Sequence, residues 1–324
     1  MSRNKDVERQ SPIYRAVIAG CGSFAPEKIL TNDDLAKMID TTDEWITTRT
    51  GIKRRHIAAD NESTACLATE AAKRALADAK LDPKELDVII VATITPEMVF
   101  PSTACFVQLN LGATNAFAFD IAAACSGFIY SIAISQEFIE KGRFKNILVI
   151  GAETLTKITN YKDRTSCILF GDAAGAVVLQ RSRDTQKGVL YTTMYSDPNY
   201  WEALNCRAYG SLYPADKKLD DPNKIYMEIH GREVYQQAVR RIVEAVNECL
   251  DKCNLTIDDI AMVISHQMNA RIIESASKRL GATKEKMFIN INEYGNTSAA
   301  SVPLVLGSVL KTSKIAADAV KIAG

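Results

Sequence analysis

Cys125 lies in the stretch DIAAACSGFIYSI, residues 120–132, between an apolar run and an apolar segment with helical spacing. This cysteine is either a small core residue or a nucleophile at the start of a helix that ends at Gly142. At a helix N-terminus, the helix dipole and the free backbone N–H groups favour the thiolate, which is the nucleophilic form of cysteine. Taken alone, the stretch leaves both interpretations open.

A histidine and an asparagine could complete a site around this cysteine. His266 ends an apolar run, and Asn296 lies in the small-residue turn YGNTSAAS. A lone histidine at a strand end is usually structural, but a Cys, His and Asn set can hold an acyl thioester and stabilise an enolate beside its carbonyl. A cysteine protease would instead use the asparagine to orient the histidine. The residue types do not separate these two chemistries.

Apolar runs and amphipathic segments alternate along the chain, which is typical of a layered α/β fold. Helices are predicted over residues 64–80 and 231–252, because apolar residues recur there with helical spacing. Buried strands are predicted for the runs 16–20, 87–93, 116–122, 146–153, 175–180, 261–267 and 287–292.

Two parts of the chain repeat the same order of features. LDPKELDVIIVAT begins at Leu81 and LTIDDIAMVISHQ begins at Leu255, and each is followed downstream by the tetrapeptide LGAT. A strand and a small-residue turn come next, and the turn carries Cys125 in the first copy and Asn296 in the second. An internal duplication explains this order, and a pseudo-twofold arrangement would bring the two turns together. His266 would then lie at the C-terminal end of a strand, where α/β proteins build their sites.

The duplication predicts how the chain is divided. We expect a loose N-terminal tail over residues 1–12, an N-terminal half over 13–185 that carries the nucleophile, and a C-terminal half over 186–324 that carries the histidine and the asparagine. A chain of 324 residues is long enough for two such halves that share one core.

The composition argues against several classes of function. Lys plus Arg and Asp plus Glu both number 39, so no excess of basic residues points to nucleic acid. No apolar run approaches the roughly 20 residues that span a bilayer. The charged N-terminus lacks the apolar region of a secretory signal, so we expect a cytoplasmic protein. The eight cysteines lack the spacing of a zinc site or of a disulfide scaffold, and most are expected to be core thiols.

Seven motifs in a fixed order carry a resemblance that extends from about residue 14 to residue 324. They are TTDEWITTRTGIKRRHIA (41–58), FPSTAC (100–105), ACSGF (124–128), DRTSCILFGDAAGAVVL (163–179), GREVY (231–235), SHQMNARII (265–273) and GNTSAAS (295–301). Together they resemble β-ketoacyl-acyl-carrier-protein synthase III of the thiolase superfamily. The resemblance implies a homodimer with an α/β thiolase-like fold, in which two duplicated halves form a five-layered αβαβα arrangement.

The resemblance also implies a reaction. Cys125 would accept the acyl group of an acyl-CoA primer, with acetyl-CoA expected, while His266 and Asn296 would assist decarboxylation of malonyl-acyl-carrier protein. This Claisen condensation gives β-ketoacyl-acyl-carrier protein, CO2 and CoA, and it initiates type II fatty acid synthesis or a related pathway. CoA thioesters are substrates, and no metal or other cofactor is implied.

Several other residues match substrate-binding positions of the family. Trp45 and Arg49 resemble the pair that encloses the CoA adenine, and Arg164 resembles its second cationic neighbour. An indole ring and a guanidinium plane both stack well on a purine. Phe100 resembles the aromatic residue that reaches into the partner subunit's acyl pocket, although the sequence alone would place it in the core.

The rest of the CoA site and the carrier-protein surface come from the C-terminal half. Gly231 and Ala238 match positions that line the pantetheine tunnel, and Asn269 matches a residue that orders water beside the pantetheine. One predicted helix carries three cations that would steer the acidic carrier protein, or that simply form a solvated face: Arg271, Lys278 and Arg279.

The sequence departs from the family pattern in two places. Arg232 and Tyr235 replace the asparagine and phenylalanine typical of the family, beside the CoA tunnel. The family continues past AVKIAG into a Gly-rich turn and a last strand, and that turn supplies an oxyanion-hole N–H group, so we expect the last strand to be missing here.

Alternatives to the synthase interpretation stay open. The chain could be a pathway-specific relative with another primer, or an impaired partner protein that binds CoA or carrier protein without condensing them. It could also be an acyltransferase or hydrolase, although the presence of both His266 and Asn296 favours condensation. The stretch 196–224 is either a segment over the site that shapes primer choice or a surface loop without a role.

Overall fold

The structure is a computed structural model that describes residues 13–208, 210–214 and 221–312. The predicted tail over residues 1–12 and the C-terminal segment AVKIAG lie outside the described residues. Among the helices that are described, none is both long and apolar enough to cross a membrane.

A mixed five-stranded sheet forms the centre of the described chain, in the order β1 (Arg15–Phe24), β7 (Asp172–Ser182), β6 (Asn146–Thr154), β4 (Val88–Ala92) and β5 (Phe117–Ile121). Strand β4 pairs in parallel with both β5 and β6, whereas β7 runs antiparallel to β6 and β1. All five predicted strands of the N-terminal half are confirmed. The other described strands form two short pairs, β2 (Ile29–Thr31) with β3 (Arg54–His56) and β8 (Leu204–Asn205) with β9 (Glu228–Ile229).

Nine α-helices are assigned over the described residues, and both predicted amphipathic helices are confirmed. They are α1 (Asn32–Ala36), α2 (Asp43–Thr50), α3 (Thr64–Ala79), α4 (Thr103–Leu111), α5 (Gly127–Glu140), α6 (Gly231–Lys252), α7 (Ala270–Leu280), α8 (Ile291–Tyr294) and α9 (Ser301–Thr312).

Helix α3 covers one face of the sheet at close range. Ser63 caps its N-terminus by accepting a hydrogen bond from Cys66 N, and an alanine-rich face packs on β1 and β7. A Cβ atom on Gly22 of β1 would lie only 2.2 Å from Ala71 O, so the glycine allows this approach.

Helices α5 and α9 cover the opposite face of the sheet. Helix α9 belongs to the predicted C-terminal half, yet it packs against β7 and β1 of the N-terminal half. The turns that precede α5 and α9 are therefore carried to the same region of the molecule. The boundary near residue 185 stays a prediction.

The strand predictions for 261–267 and 287–292 are wrong in extent. Val263 and Met287 form one parallel bridge, and α8 already begins at Ile291. Gln267 takes the place of further strand pairing, because its Nε2 donates to Phe288 O at 3.1 Å and its Oε1 accepts from Asn290 N at 3.1 Å. One buried side chain thus joins two extended segments.

The expectation that most cysteines are core thiols is also wrong. All eight are free thiols, but only Cys21, Cys167 and Cys249 are buried. Cys125 is partly exposed as a whole residue, although its thiol group is itself buried.

Candidate active site

Cys125 lies in a tight turn between β5 and α5, at the edge of the sheet where the parallel strands β4, β5 and β6 all end. The turn is a single 3-10 turn over Ala124–Ser126, and α5 begins at Gly127. Ala124 adopts a φ of +45°, which is uncommon for a residue with a side chain. Such conformations cost on the order of 1 kcal/mol and often mark functional sites.

Asn296 is held by the backbone between Leu169 and Gly171. Its N–H donates to Leu169 O at 2.8 Å, and its carbonyl accepts from Gly171 N at 3.0 Å. Its side-chain Oδ1 accepts from Ser298 N at 2.9 Å, which fixes the amide so that Nδ2 is left as a donor. The side chain is almost fully buried.

The turns that carry Cys125 and Asn296 touch each other, as the duplication predicts. Ser298 Oγ donates a hydrogen bond to Cys125 Sγ at 3.5 Å. Gly151 on β6 makes room for this contact, because a Cβ atom there would lie 2.2 Å from Ala299 O. Ser298 itself has a φ of +46°, so both turns hold a residue in the left-handed region.

His266 follows the bridge at Val263 and is partly buried. Its Nδ1 lies 2.6 Å from Ser301 Oγ. Its Nε2 is shielded from solvent and has no hydrogen-bond partner among the described residues. Burial lowers the pKa of His266 to about 4, so the imidazole is neutral at pH 7.

Burial decides the charge state of Cys125. The cysteine lies at the N-terminus of α5, and burial raises the pKa of its thiol and outweighs the opposing hydrogen bonds from Ser298 and from the backbone N–H of Cys125 itself. The resting residue is therefore a thiol, although the backbone N–H lowers the thiol pKa in the direction that the sequence analysis expects.

Three predicted CoA residues come together around one indole ring. The guanidinium carbons of Arg49 and Arg164 lie 4.3 Å and 4.1 Å from the ring centroid of Trp45. Thr42 caps α2 and places Trp45 and Arg49 one turn apart on that helix. Both guanidinium groups therefore lie within cation–π distance of the same ring.

A cavity of about 70 Å³ begins near this cluster and is lined by Gly231 and Asn269, among others. Asn269 caps α7 through Arg271 N, and its Nδ2 donates to Arg49 O at 3.0 Å, so it joins the cavity to the arginine cluster. Tyr235 also lines the cavity, and its hydroxyl lies 2.7 Å from Ser275 Oγ. Ala238 is not among the lining residues and packs in the neighbouring apolar cluster instead.

Two models of one protein family match this chain. The family model described as 3-Oxoacyl-[acyl-carrier-protein (ACP)] synthase III matches residues 119–198, and the model of its C-terminal part matches residues 250–322. The "Beta-ketoacyl-[acyl-carrier-protein] synthase III" of Caldanaerobacter subterraneus is 54% identical over 300 residues, which cover 93% of this chain and 90% of that protein. The chain belongs to the 3-oxoacyl-[acyl-carrier-protein] synthase III family.

Solved structures of this synthase III family share the fold. The enzyme from Aquifex aeolicus is 47% identical, with a TM-score of 0.86 over 93% of this chain and 92% of that chain. The enzyme from Thermus thermophilus is 37% identical, with a TM-score of 0.86 over 93% and 92% of the two chains. The predicted thiolase-like fold and the resemblance to the family are therefore confirmed, and the chain is a condensing enzyme of the acyltransferase class.

The remaining predicted residues are exposed at the surface. Phe100 is 81% exposed, which contradicts its interpretation as a core residue. Arg271, Lys278 and Arg279 are exposed on α7, and Arg271 and Lys278 share a face because they are two turns apart. Arg232 is exposed at the start of α6.

Part of the stretch 196–224 lines a second cavity. This cavity of about 310 Å³ is lined by residues 159–162, Pro222, Asn223, Ile225 and Tyr226, and of these Pro222 and Asn223 belong to the stretch. Residues 209 and 215–220 of this stretch lie outside the described residues.

Sequence reasoning missed three residues of the site. Ser298 and Ser301 lie in the quoted motif GNTSAAS, but their polar types alone did not distinguish them from ordinary turn residues. Glu153 is fully buried at the end of β6, inside an apolar run that predicts only a strand. A charged residue within such a run is the signal that could have revealed it.

Proposed function

We propose that this chain condenses an acyl-CoA primer, namely acetyl-CoA, with malonyl-acyl-carrier protein, and that Cys125, His266 and Asn296 carry the reaction. The observation that carries the proposal is the position of Ser298, which hydrogen-bonds both the Cys125 thiol and the Asn296 amide. This contact fixes a nucleophile and a hydrogen-bond donor beside each other.

The first step transfers the acyl group to the enzyme. Cys125 Sγ attacks the carbonyl carbon of the acyl-CoA thioester, the bond from that carbon to the CoA sulfur breaks, and the thiol proton leaves with CoA. Because burial raises the pKa of Cys125, the proton is lost as the substrate arrives rather than beforehand. The hydrogen bond from Ser298 stabilises the sulfur as charge develops on it.

The second step forms the new carbon–carbon bond. The malonyl thioester loses CO2, and the electron pair of the broken bond forms an enolate. Asn296 Nδ2 and His266 Nε2 donate hydrogen bonds to the enolate oxygen, since the first is left free by Ser298 and the second has no described partner. The enolate carbon then attacks the acyl carbonyl, and Cys125 leaves as a thiolate that takes a proton.

The CoA thioester enters as a substrate. We propose that its adenine stacks on Trp45 with Arg49 and Arg164 as cationic neighbours, because the three side chains already form one cluster. The pantetheine arm would pass Asn269 and Gly231, which line the narrow cavity. Ala238 supports this wall from the adjoining cluster.

We also propose a homodimer and a carrier-protein surface. Strand β5 lies at one edge of the described sheet, with Phe117 exposed, and Val99 and Phe100 are 86% and 81% exposed. An unpaired edge beside large exposed apolar side chains is suited to a second subunit. The cations Arg271, Lys278 and Arg279 are suited to the acidic carrier protein.

Intact-mass measurement tests the proposal most directly. The protein is incubated with a panel of acyl-CoAs beside Cys125→Ser, and each acyl-enzyme is then chased with malonyl-acyl-carrier protein. We expect one acyl group on the native protein, none on the variant, and conversion of that group into β-ketoacyl-carrier protein. Absence of loading from every acyl-CoA would contradict the proposal, and loading from a longer primer alone would correct the choice of acetyl-CoA.

The role of Asn296 is tested by Asn296→Asp, which replaces the donor with an acceptor of the same shape. We expect Cys125 to load normally while condensation falls by about 10²–10³-fold. Asn254→Asp, in an exposed turn, makes the same chemical change and should leave both steps unchanged. Equal loss of loading and condensation in Asn296→Asp would point to a general distortion of the site instead.

A further inference from the structure

Ser301 connects His266 to the start of helix α9. Its Oγ lies 2.6 Å from His266 Nδ1, and the residue is 1% exposed. The same oxygen accepts a longer hydrogen bond, 3.4 Å, from the backbone N–H of Gln267. Among the described residues, these two groups are the hydrogen-bond partners of the Ser301 hydroxyl.

The direction of the bond between Ser301 and His266 follows from these partners. A hydroxyl has one hydrogen to donate and can accept through its lone pairs. Gln267 N–H can only donate, and among the described residues His266 Nδ1 is the one group that can accept the Ser301 hydrogen, so we place that hydrogen in the bond to Nδ1. A neutral imidazole that accepts at Nδ1 carries its proton at Nε2.

The location of that proton decides what His266 can do. Burial keeps the ring neutral, so it has a single N–H group to offer. Nε2 is shielded from solvent and unpartnered among the described residues, so an N–H there is available to a substrate. The opposite tautomer would present a lone pair to an enolate oxygen and repel it.

We propose that Ser301 is a positioning residue that holds His266 in the Nε2–H tautomer, so that the histidine donates to the thioester oxygen during decarboxylation. This inference rests on the proposed function of His266. Ser301 does not contact substrate, and it acts through the ring that it orients. Ser301 is the first residue of α9, and α9 packs against the sheet. The packing of this helix therefore also helps to align the site.

The native protein itself allows a direct test. Two-bond nitrogen–proton NMR spectra of histidine labelled with ¹⁵N distinguish the two neutral tautomers. Only three histidines are present, and the signal of His266 is assigned by its loss in His266→Ala. We expect the Nε2–H pattern at neutral pH. An Nδ1–H pattern would overturn the proposal whatever the activity of the enzyme.

Variants of Ser301 test the consequence for the reaction. In Ser301→Ala, we expect a mixed tautomer pattern and condensation about tenfold slower, because the donor is only partly aligned, while acyl loading of Cys125 is unchanged. Ser301→Thr keeps a hydroxyl and should restore both the pattern and the rate. Ser308→Ala lies two turns further along the same helix and donates to Leu304 O, so it is the matched control.

The outcomes separate this inference from the proposed function. A native tautomer pattern and a native condensation rate in Ser301→Ala would overturn the role of Ser301 and leave the synthase reaction intact. If neither the native protein nor any variant loads an acyl group, the proposed function fails. The NMR spectra would still report the tautomer of His266 in that case. If Ser301→Ala does not fold, the native spectrum and Ser301→Thr still decide the question.

Discussion

Ser298 donates a hydrogen bond to the Cys125 thiol across 3.5 Å, although the two residues are 173 positions apart in the chain. This bond opposes the effect of burial, which raises the pKa of the thiol. In Ser298→Ala the pKa of Cys125 rises further, because the donor that stabilises the thiolate is gone. We expect acyl loading to slow by about tenfold at neutral pH, and its pH profile to move to higher pH.

Stopped-flow measurement of CoA release across pH provides the test. Ser135→Ala is the control, because Ser135 is buried in α5 and donates only to the backbone of that helix. If acyl loading were slower in Ser298→Ala than in the native protein by the same factor at every pH, this result would argue against an effect on the thiol pKa.

Glu153 is a second buried group at the same edge of the sheet. Its carboxylate accepts hydrogen bonds from Thr93 Oγ1, from Ile94 N, and from both Thr95 N and Thr95 Oγ1. Burial outweighs these donors and raises the pKa of Glu153 to about 8. The folded state therefore binds a proton that the unfolded state releases above its pKa of 4.5, so stability declines as pH rises from about 5 to 8.

Glu153→Gln cannot ionise and keeps an oxygen for the same donors. We expect its free energy of unfolding, relative to the native protein, to increase by roughly 1–3 kcal/mol between pH 5 and pH 8. Urea unfolding at several pH values measures this difference. Glu70→Gln on α3, with a side chain that is 42% exposed, makes the same chemical change at the surface and is the control. Parallel curves for Glu153→Gln and the native protein would refute a shifted carboxyl group.

Strands β4 and β6 could be predicted because they are continuous apolar runs of five or more residues that the sheet buries on both faces. The meeting of the Cys125 and Asn296 turns could also be predicted, since a duplicated order of elements implies a symmetric arrangement. Both predictions depend on patterns that many residues share, so no single side chain decides them.

The features that could not be predicted depend on individual side chains. Gln267 replaces strand pairing between two apolar segments, and the apolar pattern is the same with or without that bridge. The raised pKa of Cys125 follows from burial of its thiol in the folded chain, which the local sequence around α5 does not reveal. Ser301 is recognisable only once His266 lies beside it.

The position of Trp45 leads to a separate prediction about CoA recognition. In Trp45→Ala, the stacking surface for adenine is lost, so we expect the KM for acyl-CoA to rise by roughly 5- to 100-fold, as stacking of a base is worth about 1–3 kcal/mol. An acyl-pantetheine substrate lacks the adenine and should be used equally well by the variant and the native protein. Trp201→Ala changes the other tryptophan and is the control. Equal losses with both substrates would show that the indole supports the fold rather than the nucleotide.

The exposed cations of α7 lead to a prediction about the carrier protein. The double variant Lys278→Ala and Arg279→Ala removes two positive charges from the end of this helix. We expect the KM for malonyl-acyl-carrier protein to rise by about 5- to 10-fold at low salt, because long-range attraction to an acidic partner is lost.

Salt distinguishes this effect from damage to the site. The difference between the α7 double variant and the native protein should shrink at high salt, since exposed charges are screened within about 10 Å at 0.1 M ionic strength. Acyl loading from acyl-CoA should be unchanged, because that step does not involve the carrier protein. The control double variant is Lys73→Ala with Lys84→Ala, which also removes two positive charges, one from an exposed position on α3 and one from an exposed position after α3. It should leave the KM for malonyl-acyl-carrier protein unchanged. An equal effect from both double variants would assign the result to net charge and not to a docking surface on α7.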